Sequence, residues 1–349
     1  MPPTSRRCAA RSRNGRISRI LLVRLDGIGD ALVCAPLVAA LRAAGHEVGA
    51  LLTTRNREAF AARAFARVHA VERIPWPRHG ATPESRERAL HEVRAADYAA
   101  ALIVSEEPDA YLLPREAGIA VRVGFVNGFE KPFKTLQYGA ALSRSVLRPA
   151  SRRGVREHEV ETIFRLGAGF TAEPAPTRDP ARLRPLLLDD EAPAHGKLVV
   201  QLSAKFAGSG LDAAAFAALT RGFAAADEAP LCLCDDARFA ADVAARGGCP
   251  SEPANSLREW KETLAGARAV VTPDSGAAHV AGMLGVPCLA LLPAETGAAH
   301  DLVRWRPWTA PSRTLVATEL AAPYGALLDE FVRRVVAETA ALTPAPAPS

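Results

Sequence analysis

Two short loops carry the residues best suited to chemistry. The first, Asp26-Gly27-Ile28-Gly29-Asp30, follows the apolar run RILLVRL (19 to 25), and the second, Thr272-Pro273-Asp274-Ser275-Gly276, follows Val270 and Val271. Each leads into a helix-like stretch, so each lies where a parallel strand hands over to a helix, the end of an open α/β sheet that binds ligands. At the second loop, the unpaired N–H groups and positive dipole end of the coming helix favour phosphate oxygens. Ser275 adds a hydroxyl donor, and Gly276 lets a ligand approach the backbone closely. Asp274 and Ser275 read equally well as helix caps, and periodicity does not separate capping from phosphate binding. His279 falls in the first turn of that helix, where its imidazole can lie beside a diphosphate, although a lone histidine is more often a satisfied structural residue.

The first loop holds Gly27 and Gly29 but fails the dinucleotide fingerprint, because Leu32 stands where the third glycine belongs. Asp30 at a helix start repels a phosphate held there, so this loop faces a neutral or polar reacting group. A carboxylate so placed can take a proton from a hydroxyl, or can cap its helix. Thr53 and Thr54 end the second strand where a dinucleotide oxidoreductase needs an acid, which argues against that class.

The elements that must position these loops follow from periodicity. Residues 19 to 53 read as strand, helix and strand, with Val33, Leu37, Ala40, Leu41 and Ala44 on one helical face and Pro36 bending that helix or delaying its regular start. A second series runs from KLVVQLS (197 to 203) through PLCLCDD (230 to 236) to residues 267 to 292. Between the two, Pro174, Pro176, Pro180, Pro185 and Pro193 interrupt any long regular element and supply a linker and hinge over 173–195. The expected division is a disordered basic leader (1–18), a first Rossmann-like domain (19–172), the linker, a second Rossmann-like domain (196–325), a terminal helix (326–341) packing back on the first domain, and a disordered tail (342–349).

A chain of 349 residues, 49% of them hydrophobic, suits two compact α/β domains. Its 43 Lys and Arg against 38 Asp and Glu give a net charge of +5, which fits an anionic ligand better than a nucleic-acid coat. Arg6, Arg7, Arg11, Arg13, Arg16 and Arg19 crowd the start without the apolar core of a secretory signal. No apolar stretch approaches the roughly 20 residues of a membrane span. The six cysteines show no CxxC spacing, so they read as buried thiols in a reducing cytoplasm.

Taken together, ILLVRLDGIGDALVCAPLVAALR (20 to 42) and VVTPDSGAAHVAGMLGVPCLALL (270 to 292) resemble the paired signatures of glycosyltransferase family 9, the heptosyltransferases. VRVGF (121 to 125), HEVETIFRLGAGF (158 to 170) and RWRPW (304 to 308) agree, and the resemblance covers most of residues 19 to 310. It implies a GT-B fold, with two parallel sheets facing a central cleft, the acceptor on the first domain and an ADP-heptose donor on the second. Inversion at the anomeric carbon is implied too, with no metal and no cofactor. Asp30 matches the general base, with Gly27 and Gly29 in the loop near the acceptor; Asp274, Ser275, Gly276 and His279 match the diphosphate loop. One departure concerns a lysine of the family, because Ser209 stands at its place and Lys205, four residues earlier, is the substitute.

For a lipopolysaccharide inner-core acceptor, Arg122, Lys131 and Lys134 are the candidate contacts. The loop GFVNGFEKPFK (124 to 134) carries Phe129 and Phe133, which can touch lipid or anchor the loop. The implied location is the cytoplasm, in peripheral contact with the inner membrane. The alternatives are a related transferase with another nucleotide sugar or acceptor, and a silent sugar-nucleotide binder; Asp30 argues against the latter.

Overall fold

The computed structural model describes residues 18–74, 80–148, 157–292, 303–316 and 326–342. Its central strands are short and apolar on both faces, as they must be when helices cover a parallel sheet on either side, and its edge strands are more exposed. In the first sheet β1 (Arg19–Arg24), β2 (Glu47–Thr53), β3 (Arg67–Val71), β4 (Ala100–Ile103), β5 (Val121–Val126) and β6 (Arg144–Leu147) lie in the order β3-β2-β1-β4-β5-β6. The second holds β7 (Leu198–Gln201), β8 (Leu231–Leu233), β9 (Ser251–Glu252), β10 (Ala269–Pro273), β11 (Cys288–Leu292) and β12 (Ser312–Val316), ordered β12-β11-β10-β7-β8-β9. All of these pairings are parallel. Each sheet therefore reverses its winding between its first and fourth strands, β1 and β4 or β7 and β10. The crevice at the carboxyl ends there is the ligand position of doubly wound sheets, and both loops singled out by the sequence open onto it. This is the two-domain α/β architecture of a GT-B protein.

The helix after β1 is broken. It runs over Ile28–Leu32, turns at residues 33–34 and resumes over Ala35–Ala43 with Pro36 in its second position, where no N–H is required. The Pro-rich segment behaves differently from a bare linker. Pro180–Leu187 is a helix, capped by Asp179, which accepts the Ala181 N–H at 3.0 Å. Leu183, Leu186 and Leu187 are buried in a core cluster that also takes in Leu37 and Leu41 of the first domain and Ala277, Val280 and Ala281 of the second. Pro180 occupies the first helical position, and apolar packing outweighs the hydrogen bond that Pro185 cannot make.

Among the described residues the terminal helix, Ala326–Leu342, expected to pack back on the first domain, packs on the second. Its Phe331, Val332 and Val335 join Phe216, Leu219 and Phe223 of the helix Ala213–Ala225 in the second core. Gly222 makes this possible, since any side chain there would run into Val332. Residues 1–17 and 343–349, expected as leader and tail, lie outside the described residues. Among the described residues no helix is long and apolar enough to cross a membrane.

Candidate active site

The first half of the site is organised by a buried cation. Arg24 closes β1, is 3% exposed, and donates to the Val104 carbonyl at 3.1 Å. Its Nη2 donates to Asp30 Oδ1 at 2.8 Å, and its Nε lies 3.0 Å from Asp26 Oδ2. Burial works against the Arg24 charge, but Asp26 and Asp30 hold the guanidinium protonated, with its pKa above the ordinary value. Ser105, just beyond β4, donates to the same Asp26 oxygen at 2.8 Å. Asp30 occupies the third position of its helix rather than the N-cap, which is Gly27; its Oδ2 accepts the Gly27 N–H at 3.2 Å. Both carboxylate oxygens are thus oriented while the side chain stays about a third exposed to the cleft.

The second half is built on the helix Gly276–Leu284. Ser275 is its N-cap, accepting the Ala277 N–H at 3.3 Å, and its hydroxyl also meets the Thr272 hydroxyl at 2.9 Å. Asp274, Ser275 and Gly276 remain half-buried. The Trp260 indole braces this loop from below: it donates to Gln201 Oε1 at 2.8 Å, and a Cβ on Gly276 would lie 3.4 Å from its Cη2. Lys205, exposed beyond β7, brings its Nζ to 3.4 Å from the Asp274 carbonyl. Ser203, Lys205, Asp235, Asp236 and Arg238 line a cavity of about 530 Å³ outside the ends of β7 and β8.

The two halves touch. A Cβ on Gly29 would lie 2.8 Å from His279 Cδ2 and 3.7 Å from Gly276 Cα, so Gly29 is what lets the short helix after β1 meet the helix after β10. His279 is buried in this seam, edge-on to Trp305 with ring centroids 5.8 Å apart. Burial is the main cause that pushes its pKa down to about 4; Asp30 and Glu159 oppose the fall and Lys205 adds to it.

The candidate acceptor contacts separate. Lys131 pairs with Glu106 at 2.7 Å, close to the cleft, and Asn127 also donates to Glu106 at 3.2 Å. Arg122 is a correction: it lies at the start of β5, away from the ligand end, and its guanidinium is tied to the carbonyls of Ile119, Ala120 and Ala141. The side chain of Lys134, like that of Ser209, lies outside the described residues. Sequence reasoning missed Glu159, which is 1% exposed and receives Arg304 at 2.8 Å together with Arg148. Next to it His158 accepts the Val160 N–H on Nδ1 at 3.0 Å, so its Nε2 carries the proton given to the Arg306 carbonyl at 2.8 Å. The segments HEVETIF and RWRPW, 145 residues apart at Glu159 and Arg304, therefore dock on one another.

The family model for glycosyltransferase family 9 (heptosyltransferase) matches residues 86–324. No curated protein sequence matches the chain. Among solved structures, a family 9 glycosyl transferase from Veillonella parvula aligns with a TM-score of 0.68 and 14% identity over 92% of this chain and 96% of that one. The E. coli heptosyltransferase WaaC, solved with ADP, gives 0.67 and 17% over 90% and 99%. E. coli ADP-heptose lps heptosyltransferase II gives 0.64 and 18% over 93% and 98%.

Proposed function

The chain belongs to glycosyltransferase family 9, the heptosyltransferases, and from that premise we propose that it moves a heptose from ADP-heptose to a lipopolysaccharide inner-core acceptor. Asp30 removes the acceptor hydroxyl proton as that oxygen attacks the anomeric carbon from the face opposite the nucleotide. The new C–O bond forms, the bond to the diphosphate breaks, and ADP leaves with the configuration inverted. Backbone N–H groups at Ser275 and Gly276, with Lys205, stabilise the charge growing on the diphosphate, an effect that donors fixed in advance deliver well. The cavity lined by Ser203, Asp235, Asp236 and Arg238 takes the nucleoside. Arg24 acts through Asp30 by fixing the carboxylate's direction.

The observation that carries this reading is the seam of Gly29, Gly276 and His279, which sets an oriented, part-exposed carboxylate against a capped helix N-terminus. Asp30→Asn tests it, because the two side chains have nearly the same shape. Turnover should fall by roughly two to four orders of magnitude while ADP-heptose affinity, read by calorimetry, stays nearly unchanged. A variant that keeps most of its turnover removes Asp30 from the mechanism.

A further inference from the structure

The helix Pro132–Gly139 stands at the rim of the cleft, and its two faces differ. On the inner face, Tyr138 stacks on the buried Tyr111 with ring centroids 5.0 Å apart. On the outer face, Phe133 and Leu136 are 85% and 76% exposed, and Phe129, in the turn before the helix, is exposed in full. Leu147, 65% exposed, adjoins them: a Cβ on Gly128 would come within 3.1 Å of its Cδ1. The other exposed large hydrophobic side chains among the described residues are the single valines Val68 and Val121. A contiguous apolar patch of this kind marks an interaction site on a protein surface.

The surroundings of the patch say what covers it. Residues 128–156 hold seven Lys and Arg against the single acid Glu130. Lys131 and Arg148 are engaged with Glu106 and Glu159, and the segment stays strongly basic without them. A two-fold contact with a second copy would set this basic stretch against itself, and like charges oppose that. An anionic surface that also accepts apolar side chains is the complement. Glu106 follows β4 at the ligand end of the first sheet and binds Lys131 and Asn127, so the patch faces the same side as Asp30.

We propose that Phe129, Phe133, Leu136 and Leu147 form a membrane-docking surface, inserting into the interfacial region of an anionic bilayer, the charge that the basic sequence of this segment favours. Docking there holds the acceptor half of the cleft against the membrane, where a lipid-anchored acceptor is embedded. The proposal rests on the acceptor reading given above and extends it to how that acceptor is reached.

Co-sedimentation of the full chain with vesicles tests it. The protein should bind phosphatidylglycerol-containing vesicles and leave pure phosphatidylcholine vesicles largely uncovered, with binding that weakens as salt rises. The Phe129→Ser/Phe133→Ser double variant should lose roughly tenfold or more in partitioning. Its melting temperature and its transfer to a water-soluble, deacylated acceptor should match the parent, while transfer to a vesicle-embedded acceptor falls. Asp30→Asn should dock like the parent, so loss of transfer with intact docking bears on the catalytic reading alone. Equal vesicle binding by parent and double variant, absence of binding to anionic vesicles, or a parent dimer that the double variant dissolves would each overturn the docking surface.

Discussion

At the scale of single residues, the site pairs groups fixed by burial with one that is free to respond to a ligand. Lys205 is exposed and rests near the Asp274 carbonyl, so Lys205→Ala should cost no stability but weaken ADP and ADP-heptose alike. A charge-assisted hydrogen bond predicts roughly a tenfold loss, shrinking as salt rises, with adenosine binding unchanged. Calorimetry with the three ligands checks this, and equal ADP binding would make Lys205 a solvated loop residue. The histidines behave oppositely. Burial pushes both His158 and His279 down to about 4, so between there and the unfolded value near 6.5 the unfolded chain binds protons that the folded chain refuses. Their contribution is complete above about 6.5 and is lost as pH falls through about 4, at up to about 3 kcal/mol each. His158→Asn keeps a cap acceptor without the titration, and denaturant melts across this range should show a shallower acid slope for it.

At the scale of elements, the seam depends on two helices approaching through Gly29. Gly29→Ala puts a methyl group 2.8 Å from His279 Cδ2, and overpacking of a buried ring costs about 1–3 kcal/mol. Gly208→Ala, in the exposed turn after β7 with nothing within 4 Å, is the control and should melt like the parent. If both variants melt alike, the close approach is not under strain. The same contrast explains what the sequence could convey. Asp30, Ser275 and Gly276 were legible because a strand, a tight loop and a helix are local, and the helix break at Pro36 was legible for the same reason. Arg24 was visible only as a charge ending an apolar run; its two carboxylate partners are a matter of side-chain direction. Glu159 with Arg304, Trp260 with Gln201 and the terminal helix against Gly222 are long-range pairings, and no periodicity reports them. The Pro-rich segment misled because local breakers were outweighed by three leucines buried by both domains.

At the scale of the whole molecule, those leucines make the expected linker a packed wedge between the domains. The helix Pro180–Leu187 shares one apolar cluster with the helix Ala35–Ala43 and the helix Gly276–Leu284, and Lys261 ties the same region together. Its Nζ donates to the Leu187 carbonyl at 2.7 Å and to the Ala59 carbonyl at 3.2 Å, linking the second domain to the wedge and to the first. Lys261 is 3% exposed, and burial pushes its pKa down to about 8. A continuous core predicts one cooperative calorimetric transition in place of two, with a van't Hoff enthalpy equal to the calorimetric one. The lysine adds a pH signature. Between about 8 and 10.4 the unfolded chain holds a proton that the folded chain has released, so stability rises with pH in that window, by up to about 3 kcal/mol. Buried thiols titrate from about 9 upward with the opposite sign, so the signature is read as the difference between the parent and Lys261→Met. That difference should grow in the parent's favour from pH 8 towards 10, while at pH 7 the variant loses stability only by what two orphaned carbonyls cost, about 1–3 kcal/mol each, less the relief of burying no charge. Two resolved transitions in the parent would mean that the domains fold separately and that the wedge does not couple them; a difference curve flat in pH would mean that Lys261 is not held in its buried, charged state.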